Sequence, residues 1–246
     1  MDATVAASMA EAQRTQAGPQ PATLRAKPHQ VVYWGVLGIV QTVDGLEHYR
    51  VGPDTILLSV DVYEDLHGNL LAEYTLDLGK GDASGGTIPF SERGLEAERW
   101  RPAVEALEFV SLLPLPSGAQ YVGAEWTVRS RHSVPGLGLR MAETTEFSIE
   151  SIEGEEVTIR YSAVGSGSTT ISQPHLGRDA NKHVTLESTR QGTFVFDVGE
   201  GRVLSAERSE RLMTTSVFYL AQGEPGGAQE ESQTLTLQLF PFNDSR

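Results

Sequence analysis

The chain has 246 residues, of which 39% are apolar, with no cysteine and a formal charge of −14. That length holds one large β domain or two small ones. The missing thiol excludes disulfides, thiolate metal sites and cysteine nucleophiles, and so acidic a surface repels a phosphate backbone and argues against nucleic-acid partners.

Residues 1–28 are rich in Ala, Gln, Thr and Pro. Such a segment buries too little to offset its ordering entropy, so it is expected to be a disordered arm, free or docked on a protein partner. It holds no apolar core of a signal peptide. The expectation is a mature exported chain whose leader has been removed, working in the periplasm or outside the cell.

Residues 29–246 are expected to form a single β-rich domain. The run VVYWGVLGIV at 31–40 is the most apolar. It is about half of the roughly 18 residues that a membrane helix needs, so it reads as a buried strand and no membrane span is expected. Gly35 and Gly38 are candidate bulges in it. Ile56, Leu58, Val60 and Val62 then alternate with Ser59, Asp61 and Tyr63. After a turn at His67-Gly68-Asn69, Leu70, Ala72, Tyr74, Leu76 and Leu78 alternate with Glu73, Thr75 and Asp77. This period of two marks a hairpin with one wet face. Residues 79–94 contain GKGDASGG and read as a loop, and 79–101 is the only credible internal boundary. The run PAVEALEFVSLL at 102–113 changes to helical spacing and predicts one short helix.

Strands resume from residue 121. Trp126 and Val128 face away from Thr127, Arg129 and Arg131, and Phe147 and Ile149 alternate with Glu146, Ser148 and Glu150. Turns are expected at Glu153-Gly154-Glu155 and Gly199-Glu200-Gly201, a flexible bend or bulge at 165–170, and a polar loop at 223–231. Roughly nine to eleven antiparallel strands result. Each has one apolar face, so the sheet must curl or stack to bury it. The expected fold is all-β with one short helix: a curved antiparallel sheet forming a barrel or half-barrel, with a two-sheet sandwich as the alternative.

Few chemical motifs survive scrutiny. GDASGG at 81–86 has an extra Ala83 against the serine-protease pattern, and too little chain precedes it for the catalytic partners. Gly165-Ser166-Gly167-Ser168 precedes no helix, so it is not a nucleophile elbow. Gly136-Leu137-Gly138 is too short for a dinucleotide fingerprint. None of the six histidines has a zinc-site spacing. His175, His183 and Asp179 flank one loop, and Asp61, Glu64, Asp65 and Asn69 surround one turn. Neither set matches a metal motif, and the calcium reading of the turn competes with an ordinary acidic hairpin tip. No cofactor or metal is expected. Trp126, Tyr161, Phe194 and Phe196 are the candidate ligand-binding residues: they either line a cavity for an apolar ligand or pack as core.

Three pieces of the second half carry a resemblance: Val122-Gly123-Ala124-Glu125-Trp126, Ser151-Ile152-Glu153-Gly154, and Gly192-Thr193-Phe194-Val195-Phe196-Asp197 with Gly201-Arg202-Val203. Together they resemble a loosely defined group of bacterial secreted proteins and lipoproteins of unknown function, with Ala124 where that pattern has Asp. The resemblance implies an exported β protein and carries over no catalytic residue. The leading expectation is a non-enzymatic cell-envelope protein that binds, scaffolds or serves a larger assembly. The alternatives are a carrier that shelters a lipid inside the curved sheet, and a hydrolase of polysaccharide or peptide.

Overall fold

Side chains that alternate between apolar and polar can bury one set and wet the other only in a sheet, where neighbouring strands also satisfy the backbone amides. In the computed structural model, which describes residues 21–77, 79, 83–91, 93, 114–134, 138–173, 180–220 and 225–242, most of the chain follows this solution. The fold is all-β and antiparallel. The short strands β1 (Ala22–Thr23) and β6 (Ala119–Gln120) pair with each other. The other strands are β2 (His29–Val43), β3 (Leu46–Glu64), β4 (Leu70–Asp77), β5 (Ala83–Phe90) and β7 (Glu125–Val134). They continue with β8 (Leu139–Glu153), β9 (Glu156–Ser172), β10 (Asn181–Asp197), β11 (Arg202–Tyr219) and β12 (Pro225–Pro241).

These ten strands make one sheet in the order β5-β4-β3-β2-β12-β11-β10-β9-β8-β7. It consists of two meanders, β2 to β5 and β7 to β12, joined where the last strand pairs with the first long one. Among the described residues no pairing joins the outermost strands β5 and β7. The helix expected at 102–113 lies outside the described residues, as do residues 1–20.

Three expected loops are strands instead. Glycine has no side chain to alternate, so its runs look unstructured in a sequence even where they pair. Ala83 to Phe90 pairs with β4 along its whole length. A Cβ at Gly85 would lie 2.6 Å from the Tyr74 carbonyl oxygen, so the glycine allows close strand approach. Residues 165–170 continue β9 without a break, and a Cβ at Gly167 would meet the Arg140 carbonyl oxygen at 2.5 Å. Residues 225–231 belong to β12. Of the two candidate bulges, Gly38 falls in the register shift between Leu37 and Ile39. Gly35 is a site of close approach, since a Cβ there would sit 2.4 Å from the Gln238 carbonyl oxygen.

The inward side chains form three clusters. The first gathers Tyr33, Ile56, Leu58, Val60, Val62 and Leu239, together with neighbours on β4 and β5. The second gathers Phe147, Ile149, Val157, Ile159, Phe194 and Phe196 with their neighbours. A smaller third holds Leu139, Met141 and Leu186. The Tyr33 hydroxyl donates to the Val203 carbonyl at 2.8 Å, which ties β2 to β11 beneath the intervening β12.

The segment 21–28, expected as part of a disordered arm, is packed. Ala22, Leu24 and Ala26 are buried at alternate positions, and Leu24, 1% exposed, joins the second cluster beside Leu115. Burying one leucine stabilises by about 1.5–3 kcal/mol. The Lys27 amide also donates to the Gly201 carbonyl at 3.3 Å, and its ammonium donates to the Val198 carbonyl at 3.2 Å.

Candidate functional site: the two faces of the central strands

Register builds the inner face. Trp126, Phe147, Tyr161, Gly192, Arg208 and Leu237 are successive partners across β7, β8, β9, β10, β11 and β12. Trp126 stacks on Phe147 with ring centroids 5.0 Å apart, Phe147 lies 6.0 Å from Tyr161, and Tyr161 lies 6.3 Å from Phe194. The Trp126 indole N–H donates to the Pro114 carbonyl at 2.8 Å. Gly192 leaves room for this chain of rings, because a Cβ there would lie 2.8 Å from the Tyr161 ring. Trp126, Tyr161, Phe194 and Phe196 are thus brought together in one packed cluster with Leu24 and Leu115.

Charges sit on the same inner face, and sequence reading missed them. Glu143 and Arg190 form an ion pair with side chains 5% and 11% exposed. Arg208, also buried, pairs with Glu210. Thr145 donates to Glu143 at 3.4 Å. Gly165 stands between Glu143 and Ser188, and Ala163 stands between Thr145 and Arg190. These two small residues let the long Arg190 side chain cross β9 to its carboxylate. Their alternate neighbours, among them Thr145, Ser188 and Gly192, state no apolar face, so the sequence pattern gives no signal for these four charges.

The outer face carries a groove of about 750 Å³. Its first row is Arg160, Thr193, Glu207, Gln238 and Val36, successive partners across β9, β10, β11, β12 and β2. Its second row is Ser162, Gln191, Ser209 and Thr236. The Gln238 amide donates to Glu207 at 3.4 Å, and Arg160 pairs with Glu150. Tyr161, Gly192, Arg208 and Leu237 also border the groove; their side chains alternate to the inner side, so their backbone forms the floor.

One pair further along the same strands, Trp34 and Phe240 are register partners with rings 5.2 Å apart. They are 37% and 38% exposed. Leu57 is the partner of Trp34 on β3, and Val32 and Phe242 are exposed nearby, the Phe242 amide donating to the Val32 carbonyl at 2.6 Å. A contiguous apolar strip on a sheet face is a feature that calls for a binding partner, unlike single exposed leucines. The apolar run at 31–40 reads as a buried strand, yet Trp34 within it keeps more than a third of its surface in solvent.

The remaining candidates separate. Ser84 lies in β5 opposite Leu76. Asp65 accepts hydrogen bonds from the amides of His67 and Asn69 and from the Asn69 side chain. Those bonds, the Asn69 side chain foremost, hold its carboxyl below the usual range, and they spend its oxygens on closing the turn. His183 bonds Thr170, while His175 and Asp179 lie outside the described residues. Among the described residues no three His, Asp or Glu side chains converge as a metal site, and no helix is long and apolar enough to cross a membrane. The His29 Nδ1–H donates to the Lys27 carbonyl at 2.8 Å. Burial, the largest influence, pushes its pKa below the ordinary histidine value. No family model matches the chain, and no curated protein matches it.

Proposed function

We propose that this is a non-enzymatic binding protein that works outside the cytoplasm, alone or as the accessory subunit of an assembly, and that it binds through the outer face of its sheet. The observation that carries the reading is the exposed Trp34–Phe240 strip lying directly beside a polar groove of about 750 Å³. Volumes of roughly 300–1,000 Å³ with a few placed polar groups suit a bound molecule. The proposal includes a sheet that curls with its β5 and β7 ends toward each other, a half-barrel with a filled interior. One-sided burial from β5 round to β8 supports the curl, since those inward faces need cover.

The test is amide hydrogen exchange on the full chain, mixed with fractions of native extracellular or envelope material. Slowed exchange confined to β2 and to β9 through β12, and abolished by Trp34→Ala with Phe240→Ala, is the expected result. Protection elsewhere, or none from any fraction, overturns the reading.

Carriage of an apolar molecule is the second reading, favoured by the ring chain formed by Trp126, Phe147, Tyr161 and Phe194. It uses the opposite side of the sheet. Solvent extraction of the purified protein followed by mass spectrometry separates the two: stoichiometric lipid supports the carrier, and its absence supports the outer face.

A further inference from the structure

We infer that the outer groove binds an uncharged oligosaccharide, a deeper claim that rests on the outer-face reading above. The argument begins with what the walls offer. Gln191 and Gln238 each donate and accept, and so do the hydroxyls of Ser162, Thr193, Ser209 and Thr236. Arg160 is already paired with Glu150 and the Gln238 amide donates to Glu207, so the groove carries about one net negative charge in a protein of charge −14. Such a surface matches a ligand whose groups both donate and accept and carry no charge, which describes sugar hydroxyls. A polyanionic glycan meets the repulsion of the whole acidic molecule.

Geometry argues against a peptide. The groove crosses five strands whose amides and carbonyls are already paired in the ladders. An extended peptide lying across that face would find no backbone partners; strand-like recognition takes place at edges. A polyol needs none, because the side chains serve it. Five strands leave four steps of about 4.8 Å, so the floor is roughly 19 Å long, enough for several sugar rings in file.

The aromatic strip completes the match. Trp34 lies two residues before Val36 and Phe240 two residues after Gln238 on antiparallel strands, which places them about 7 Å beyond the groove's first row. A pyranose ring has an apolar C–H face and a hydroxyl rim. Trp34 and Phe240, tilted 34° to each other, provide an apolar platform for the face, and the neighbouring amides reach the rim.

The experiment uses the full chain on an array of neutral and anionic glycans, followed by calorimetric titration with cellohexaose, chitohexaose, maltohexaose or whichever neutral oligosaccharide the array retains. Saturable binding confined to neutral glycans is expected, with affinity lowered at least ten-fold in Trp34→Ala and in the double variant Gln191→Ala with Gln238→Ala. The glutamines are exposed, so the double variant remains folded, as its melting curve will show, even if the tryptophan variant does not. No saturable binding on the array, binding of anionic glycans alone, or neutral binding unchanged in the glutamine variant overturns the inference. If β2 and β12 are then still protected from exchange by a glycan-free fraction, the outer-face reading stands without the sugar. If nothing protects them, both fall.

Discussion

The two meanders solve the same problem with different materials. β2 to β5 bury a mainly aliphatic set, Val31, Ile56, Leu58, Val60 and Val62, with two tyrosines, Tyr33 and Tyr74, and the Tyr33 hydroxyl donates to Val203. β8 to β11 bury rings beside an ion pair, with Arg208 only 4% exposed. Apolar side chains of the same volume would be as stable as the buried pair or more so. The difference teaches that the first meander draws its stability from apolar burial, whereas the second carries buried charges whose desolvation their pairing must offset.

Breaking the charged half has the largest expected effect. Glu143→Ala removes the carboxylate that pairs with the buried Arg190 and is expected to cost about 3–5 kcal/mol, measured by urea unfolding. The double variant Glu143→Met with Arg190→Met is expected near wild-type stability or above it by about 1–4 kcal/mol. A double variant as unstable as the single one would show that the pair is needed for the fold itself.

Next comes the crossing point of the ring chain. Gly192→Ala drives a Cβ to 2.2 Å from the Glu207 carbonyl oxygen, and overpacking of this kind costs about 1–3 kcal/mol. The paired position on the aliphatic side, Gly35→Ala, is expected to match it, and an unequal pair would locate the tighter half.

Tyr33→Phe removes the bond to Val203 for about 1 kcal/mol. It also changes the alkaline limb. Burial, the main cause, holds the Tyr33 hydroxyl well above its ordinary pKa, so the folded state keeps a proton that the unfolded chain releases. That contribution is intact below about pH 10 and is lost as pH rises above it. The variant is expected to flatten this loss in stability measured against pH.

The smallest effect is at acid pH. The His29 pKa is lowered in the fold, chiefly by burial, so the unfolded chain binds the extra proton first. Stability is present above about pH 6.5 and declines as pH falls through the lower folded value. His29→Gln is expected to remove that part of the acid slope.

How much of this could be read in advance follows the side chains. The hairpin of β3 and β4 was legible because Ile56, Leu58, Val60 and Val62 state their face four times over. β5 and the far half of β9 were not, because Ser and Gly state no face, and their glycines are there to let Tyr74 and Arg140 come close. The ring cluster was legible as a set of aromatic residues, though not as a row, since a row depends on register between strands. The outer groove was invisible for the same reason. Each of Arg160, Glu207 and Gln238 is an ordinary wet residue until pairing lines them up.

Because Glu231 lies opposite Val43 and Pro241 opposite Tyr33, the first long strand waits for the last one made. At about 5–20 residues per second, a ribosome needs on the order of ten seconds to travel between them. Throughout that interval β2 presents a bare flank of amides and carbonyls that any passing strand could seize. A nascent chain of this design is therefore an expected client of holding chaperones, and a product truncated before residue 225 an expected seed of aggregates.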